Sequence, residues 1–254
     1  MRYIASCSFG KDSLAMVLLL IEMGRPIDEV IFFNTGMEFE AIYNIRDRLI
    51  PILEGQGIKD TELLPQKSFL YNMLERPVQS KEKGCHYGYG WCGSVCRWGT
   101  TEKNRIIDGY KAQIDDDIFE YVGIAADEAW RAKEKHYPLI DLGMTEADCL
   151  AYCWDRGWNW LEKTQETETG YIDLYKILDR VSCWCCSNKN RNELKNIYTF
   201  LPEYWERLKF LQSRIERPMK NFQNIRYGEY GNVFRMEEVF RQERSEEIVQ
   251  LTLF

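Results

Sequence analysis

The opening of the chain constrains the fold most. RYIASC (2–7) reads as a short strand, and LAMVLLLIEM (14–23) is an apolar run of helix length closed by Gly24 and Pro26. EVIFFNTG (29–36) is a continuous apolar run of strand length followed by a turn. A strand that is apolar on both faces must be covered on both faces, as in a parallel sheet. A longer helix from about Glu38 to Leu53 and a third strand at DTELLP (60–65) continue the rhythm. Strand–helix–strand–helix–strand order implies a parallel sheet with right-handed crossovers, an α/β fold.

The 254 residues leave room for one large α/β domain, or one domain with a helical appendage. A formal net charge of -7 argues against a uniformly basic nucleic-acid coat but not against a local basic groove. The N-terminus starts directly on a strand pattern without a leader, and the longest apolar run is about half of a membrane span. A cytoplasmic protein without membrane contact is expected. Nine Cys, an odd number without a secretory signal, argue against a disulfide framework.

Further along, KGCHYGYGWCGSVCRW (83–98) is rich in Gly, aromatics and Cys and lacks periodicity, so it reads as a functional loop. A helix is expected from Thr100 to Lys111, then a strand at IFEYV. Thr145, with Asp148 three residues on, marks a helix start. Two amphipathic helices broken at Pro202 follow, and EEIVQLTLF reads as a short strand or tail. Residues 187–244 hold 12 Lys/Arg against 8 Asp/Glu, locally +4.

CSFGKDSLAM (7–16) raises the functional question. It is not the nucleoside-triphosphate loop, because Ala5 stands where that motif has its first Gly and Asp12 where it has Ser or Thr. The location still suits an anion. A strand enters a Gly turn, a helix starts near Asp12 or Ser13, and its free N–H groups point into the turn. Ser8 and Ser13 add hydroxyls, Lys11 a mobile positive charge, and Asp12 a helix cap or metal ligand.

SFGKDS resembles the S-x-G-x-D-S loop of the PP-loop nucleotide-binding superfamily, in the form of its phosphoadenosine phosphosulfate reductase branch. FFNTGMEFE, VGIAADEAWRA, HYPLIDLGMTEADCLAYCWDRG and CWCC with LPEYWERLKFLQ are similar to later motifs of that branch, in order, over about residues 3–212. The resemblance implies a Rossmann-like, mainly parallel twisted sheet with helices on both faces, plus a C-terminal helical extension. The boundary is expected at residue 186, with a nucleotide-binding domain over 1–186 and helices over 187–254. It implies an adenine nucleotide, ATP or adenylyl sulfate, across the carboxyl ends of the strands, with Mg2+.

By the same resemblance Ser8, Gly10, Lys11, Asp12 and Ser13 contact phosphate or its metal. Thr35, Gly36 and Glu38 line the adenosine pocket, with Gly123 and Glu128 in the matching later motif. Lys11, Asp12 and Arg131 are the catalytic candidates, Arg131 as a bidentate donor to phosphate or sulfate. Ala125 replaces the family's Arg after Gly-Ile, which removes one anion contact.

Cys92 and Cys96 precede Cys183 and Cys186 by a long gap, with Cys185 as a substitute ligand. Four thiolates from two loops close a zinc site or hold an iron–sulfur cluster. The family precedent favours a 4Fe-4S cluster, zinc being the alternative. Cys7, Cys149 and Cys153 read as core positions, His136 as structural, and His86, beside Cys85, as a reserve ligand or substrate contact. The leading expectation is ATP-dependent adenylation linked to sulfur transfer to a nucleobase or small molecule, with a sulfur donor. A sulfonucleotide reductase, using a thiol reductant and releasing sulfite, ranks second, because no Cys follows Cys186. A non-catalytic nucleotide-binding module ranks third.

Overall fold

The computed structural model describes residues 1–81, 84–91, 96–220 and 231–252, with side chains as far as residue 246. The chain divides into two compact units. The first comprises Met1–Gln66 and Trp98–Leu161, the second Lys67–Arg97 and Glu162–Phe254.

The first unit is built on a four-stranded sheet of β1 (Arg2–Ser6), β2 (Glu29–Phe33), β3 (Lys59–Leu63) and β6 (Ile118–Val122) in the order β3-β2-β1-β6. All three pairings are parallel. The α/β, Rossmann-like expectation holds. Side chains alternate across a strand, so Ile4, Ile31 and Phe33 share one face, where Ile107 of α3 (Lys103–Lys111) packs on them. Val30 and Phe32 point the other way and are equally buried. Covering on both faces is why β2 has no polar alternation.

The helix α1 (Lys11–Glu22) buries nearly every side chain from Leu14 to Leu20 and packs against α5 (Glu146–Asp155). α5 begins with the expected capping box. Asp148 N–H donates to Thr145 Oγ1 at 3.2 Å and Thr145 N–H to Asp148 Oδ2 at 2.9 Å. From β1 the chain turns through α1 toward β2, whereas β6 pairs on the other side of β1. The strand order therefore reverses at β1, and such a reversal opens a crevice at the carboxyl ends of the strands.

At the opposite end, the buried Glu29 carboxylate accepts from Lys59 Nζ at 2.9 Å, Tyr110 OH at 2.6 Å and Thr61 Oγ1. Burial pushes its pKa up, but these donors more than offset that and leave it lowered.

The second unit contains a β-hairpin, β4 (Pro77–Ser80) with β5 (Gly84–Tyr87), and a smaller one, β7 (Leu161–Lys163) with β8 (Tyr171–Asp173). It also contains α6 (Arg191–Phe200), α7 (Pro202–Arg214) and α8 (Val233–Thr252). Trp205, Phe240 and Tyr198 form its aromatic centre, with ring centroids 5.5–5.8 Å apart. Pro202 opens α7 as its first residue, where a missing N–H is harmless.

Three expectations change. Part of the stretch read as an irregular loop is strand, because Gly84–Tyr87 pairs antiparallel with Pro77–Ser80. Four residues are too short to display a period, and the pairing supplies the order. Of the end read as a short strand or tail, residues 246–252 belong to α8, which Val233, Met236 and Phe240 anchor at helical spacing, and the last two lie outside the described residues. The helix expected from Thr100 begins at Lys103, after a π-helical turn over Arg97–Glu102. Among the described residues no helix is long and apolar enough to cross a membrane.

Candidate nucleotide site

β1 ends as Cys7 N–H donates to Ile31 O at 2.9 Å. The next turn passes through Phe9 at φ 58°. A side-chain-bearing residue in the left-handed region is strained by about 1–2 kcal/mol, so something must hold it there. Two contacts do. The Phe9 ring is fully buried, edge-on to Phe32 at 5.0 Å, and the Phe9 carbonyl accepts the Trp160 Nε1–H at 2.7 Å.

The turn delivers Gly10 in extended conformation as the N-cap of α1, with no side-chain cap. No helix carbonyl can satisfy the first-turn N–H groups, so the start of α1 presents donors to an anion. Ser8 and Ser13 are tied together: Ser8 N–H donates to Ser13 Oγ at 3.1 Å, and the hydroxyls lie 3.2 Å apart. α1 starts at Lys11, slightly before the expected Asp12 or Ser13.

Lys11 is not the mobile charge expected. Its side chain is 8% exposed, and Nζ donates to Glu146 Oε2 at 2.6 Å and to Asp12 Oδ1 at 2.9 Å. Burial alone would lower the Lys11 pKa, but Glu146 and Asp12 outweigh it, and the ammonium form is favoured beyond its usual range. Burial raises the Asp12 pKa, and Glu146 and Glu128 add to this against the pull of Lys11.

The end of β6 presses on the same turn. A Cβ on Gly123 would lie 2.8 Å from Ser13 Cα and 3.0 Å from Asp12 O, so only glycine fits. Beyond it, the 3-10 turn Ala126–Arg131 carries Glu128 and Arg131, which form an ion pair with each other. Arg131, expected on phosphate or sulfate, is thus paired on its own turn.

In the β2–α2 loop, leading into α2 (Glu40–Gly55), Gly36 adopts φ 73° and donates its N–H to Asn34 Oδ1 at 2.7 Å. Thr35 Oγ1 accepts from Met37 N–H at 3.1 Å and donates to Glu38 Oε1 at 2.8 Å. The loops after β1, β2 and β6 all lie at the carboxyl ends of the strands.

Cys7, Cys149 and Cys153 are buried, as expected of core positions. Burial pushes the Cys7 thiol up to about 11 and the other two up to about 12. Cys153 Sγ lies 3.6 Å from the Lys11 carbonyl. His136 is structural, its ring stacked on Phe119 with centroids 3.4 Å apart.

The sequence singled out neither Glu146 nor Trp160. Each meets the loop across more than a hundred residues, and no local pattern signals such a contact.

The candidate metal ligands fall in the second unit, and Cys92 lies outside the described residues. Cys186 N–H donates to Cys183 O at 3.0 Å, so CWCC is a tight turn with Trp184 and Cys185 buried. Burial lowers the Lys189 pKa, against Glu193 and the three thiols of the turn, and burial also lowers that of Lys220. Two lysines beside thiols suit an anionic, thiolate-ligated group. Among the described residues, however, no three His, Cys, Asp or Glu side chains converge as a metal requires. Cys96, Cys183, Cys185 and Cys186 are all described, so the donor chemistry suits the group but the described thiols are not gathered around one point. Asp12 is the carboxylate available to Mg2+, which binds through one or two carboxylates together with phosphate oxygens.

Residues 2–73 match the phosphoadenosine phosphosulfate reductase domain. An uncharacterized protein of Methanocaldococcus jannaschii is 28% identical over 205 residues, 79% of this chain and 39% of that protein. The chain therefore spans about two fifths of the length of the curated relative it matches. The structure of the U34-tRNA thiolase NcsA from Methanococcus maripaludis with its [4Fe-4S] cluster is similar over 51% of this chain and 40% of that one. Sequence identity there is 20% and the TM-score 0.35. Residues 2–73, the segment that carries the first loop, are thus similar to the phosphoadenosine phosphosulfate reductase domain that the loop resembles.

Proposed function

We propose that the chain is an adenine-nucleotide-binding enzyme that uses ATP to adenylate an acceptor, releasing pyrophosphate, as a step linked to sulfur transfer to a nucleobase or small molecule. The observation that carries this reading is the pre-built anion cradle at residues 8–13. The N–H groups at the start of α1, the Ser8 and Ser13 hydroxyls and Lys11 converge on one turn at the sheet's switch point.

An acceptor oxygen attacks the α-phosphorus, and the bond from that phosphorus to the oxygen bridging to the β-phosphorus breaks. Negative charge grows on the departing pyrophosphate, where fixed N–H donors and a lysine ammonium stabilise it. Lys11 changes partner, from Glu146 and Asp12 to phosphate, and Asp12 is released as a magnesium ligand. Magnesium, held by Asp12, would supply positive charge to offset that of the phosphates.

Reductive cleavage of a sulfonucleotide needs a thiolate nucleophile. Burial raises the thiol pKa of Cys7, Cys149 and Cys153, which weighs against these three as that nucleophile. We assign the second unit's cysteine set, with Cys92 included, to a 4Fe-4S cluster and route no step through it. The test is incubation with ATP and a small-RNA pool, and separately with each adenylyl sulfate. Pyrophosphate supports adenylation. Sulfite transfers the assignment to a reductase, and binding without either product reduces the chain to a nucleotide-binding module.

A further inference from the structure

Tryptophan is almost always buried here. Trp91, Trp98, Trp158, Trp160, Trp184 and Trp205 lie in the interior, whereas Trp130 is 83% exposed. A single exposed apolar residue is ordinary on a protein surface, so the indole gains meaning only from what surrounds it.

Its position is specific. Trp130 stands on the 3-10 turn Ala126–Arg131, which follows the close contact of Gly123 with Ser13. The turn is clamped at its base: Ala126 N–H donates to Met144 O at 2.7 Å and Glu146 N–H to Asp127 Oδ1 at 3.0 Å. Glu146 is also the partner of Lys11. The indole is thus mounted on a scaffold continuous with the nucleotide loop.

The residues after Trp130 are all exposed as far as His136. They carry Arg131, Lys133 and Lys135 against one acid, Glu134, in a chain of net charge -7. Arg131 and Lys135 are held by Glu128 and Glu120, whereas Lys133 has no ion pair among the described residues. An exposed ring beside cations is the combination that binds single-stranded nucleic acid. The ring stacks on a base, and the cations meet the phosphates.

We propose that Trp130 is a stacking platform for an unpaired base of a single-stranded nucleic acid, with Lys133 on its phosphate, and that this strand is the acceptor class of the adenylation reaction. The last clause rests on the function proposed above; the binding does not. A mixed-sequence, fluorescein-labelled single-stranded RNA 12-mer and its DNA counterpart are the probes, titrated by anisotropy with the full chain. ATP binding is measured separately by calorimetry.

Wild type binds a single-stranded probe. Trp130→Ala loses about tenfold or more in affinity, Trp130→Phe keeps most of it, and Lys133→Ala flattens its salt dependence. ATP affinity is unchanged in all three variants. Equal binding by Trp130→Ala, preference for the duplex form, or no binding by wild type overturns the inference. Loss of ATP binding in wild type overturns the proposed function and leaves the platform standing.

Discussion

The Trp160 indole N–H holds the Phe9 carbonyl at 2.7 Å, and through it a left-handed turn that sets where the phosphate loop points. Trp160→Phe keeps the ring and deletes the donor, leaving a buried carbonyl unsatisfied. The expected loss is about 1–3 kcal/mol of stability in urea titrations. ATP affinity should fall with it, because the turn that aims the helix start is released. Unchanged affinity with reduced stability would limit Trp160 to a structural role.

Gly123→Ala and Gly109→Ala should move in opposite directions. The first drives a Cβ into the backbone of Asp12 and Ser13, whereas the second, in α3, meets nothing within 4 Å. Gly109→Ala is expected to stabilise by about 0.5–1 kcal/mol through lower chain entropy. Gly123→Ala is expected to weaken ATP binding about tenfold or more while the far-UV circular dichroism stays native.

Lys11→Met tests the cradle itself. Removing the ammonium leaves Glu146 without its partner and the leaving pyrophosphate without the lysine charge. Pyrophosphate release should fall by about a hundredfold or more. A matching single-turnover measurement shows whether the loss lies in binding or in chemistry.

Glu120 gives a pH prediction. Burial raises its pKa, but Lys111 at 2.8 Å and Lys135 at 2.9 Å pull it below the usual carboxylate range. A lowered folded pKa means stability fully present above the unfolded pKa and lost as pH falls through the folded pKa. Melting temperatures between pH 3 and pH 7 should therefore drop on the acid side. Glu120→Gln should remove that part of the drop and cost about 1 kcal/mol at neutral pH, because Lys111 keeps Asp108 and Lys135 is partly solvated.

For the cysteine set, anaerobic purification should give coloured protein containing iron. Cys183→Ser and Cys186→Ser should each bleach it. Colourless protein with stoichiometric zinc would move the set to the alternative metal.

Local pattern was a good guide where local forces decide. The both-sides-apolar β2 run, the Thr145–Asp148 capping box and the Pro202 break are each dictated by neighbours in the chain. The turn at residues 8–10 into a helix start was legible for the same reason. What the sequence hid was set by distant partners. Glu146 at the start of α5 reaches Lys11 at the start of α1, and Phe9 adopts a glycine-like conformation because its buried ring and Trp160 hold it. The Gly84–Tyr87 strand was missed because its order comes from pairing, not from period.

The thiols of Cys7, Cys149 and Cys153 have a practical consequence. Kept protonated and away from solvent, they should be silent toward iodoacetamide in the folded protein. Their slow carboxamidomethylation then becomes a clock for transient opening of the scaffold beneath the loop, counted one mass increment at a time. A nucleotide seated above them should slow that clock in proportion to its occupancy, giving an affinity without any label on the ligand.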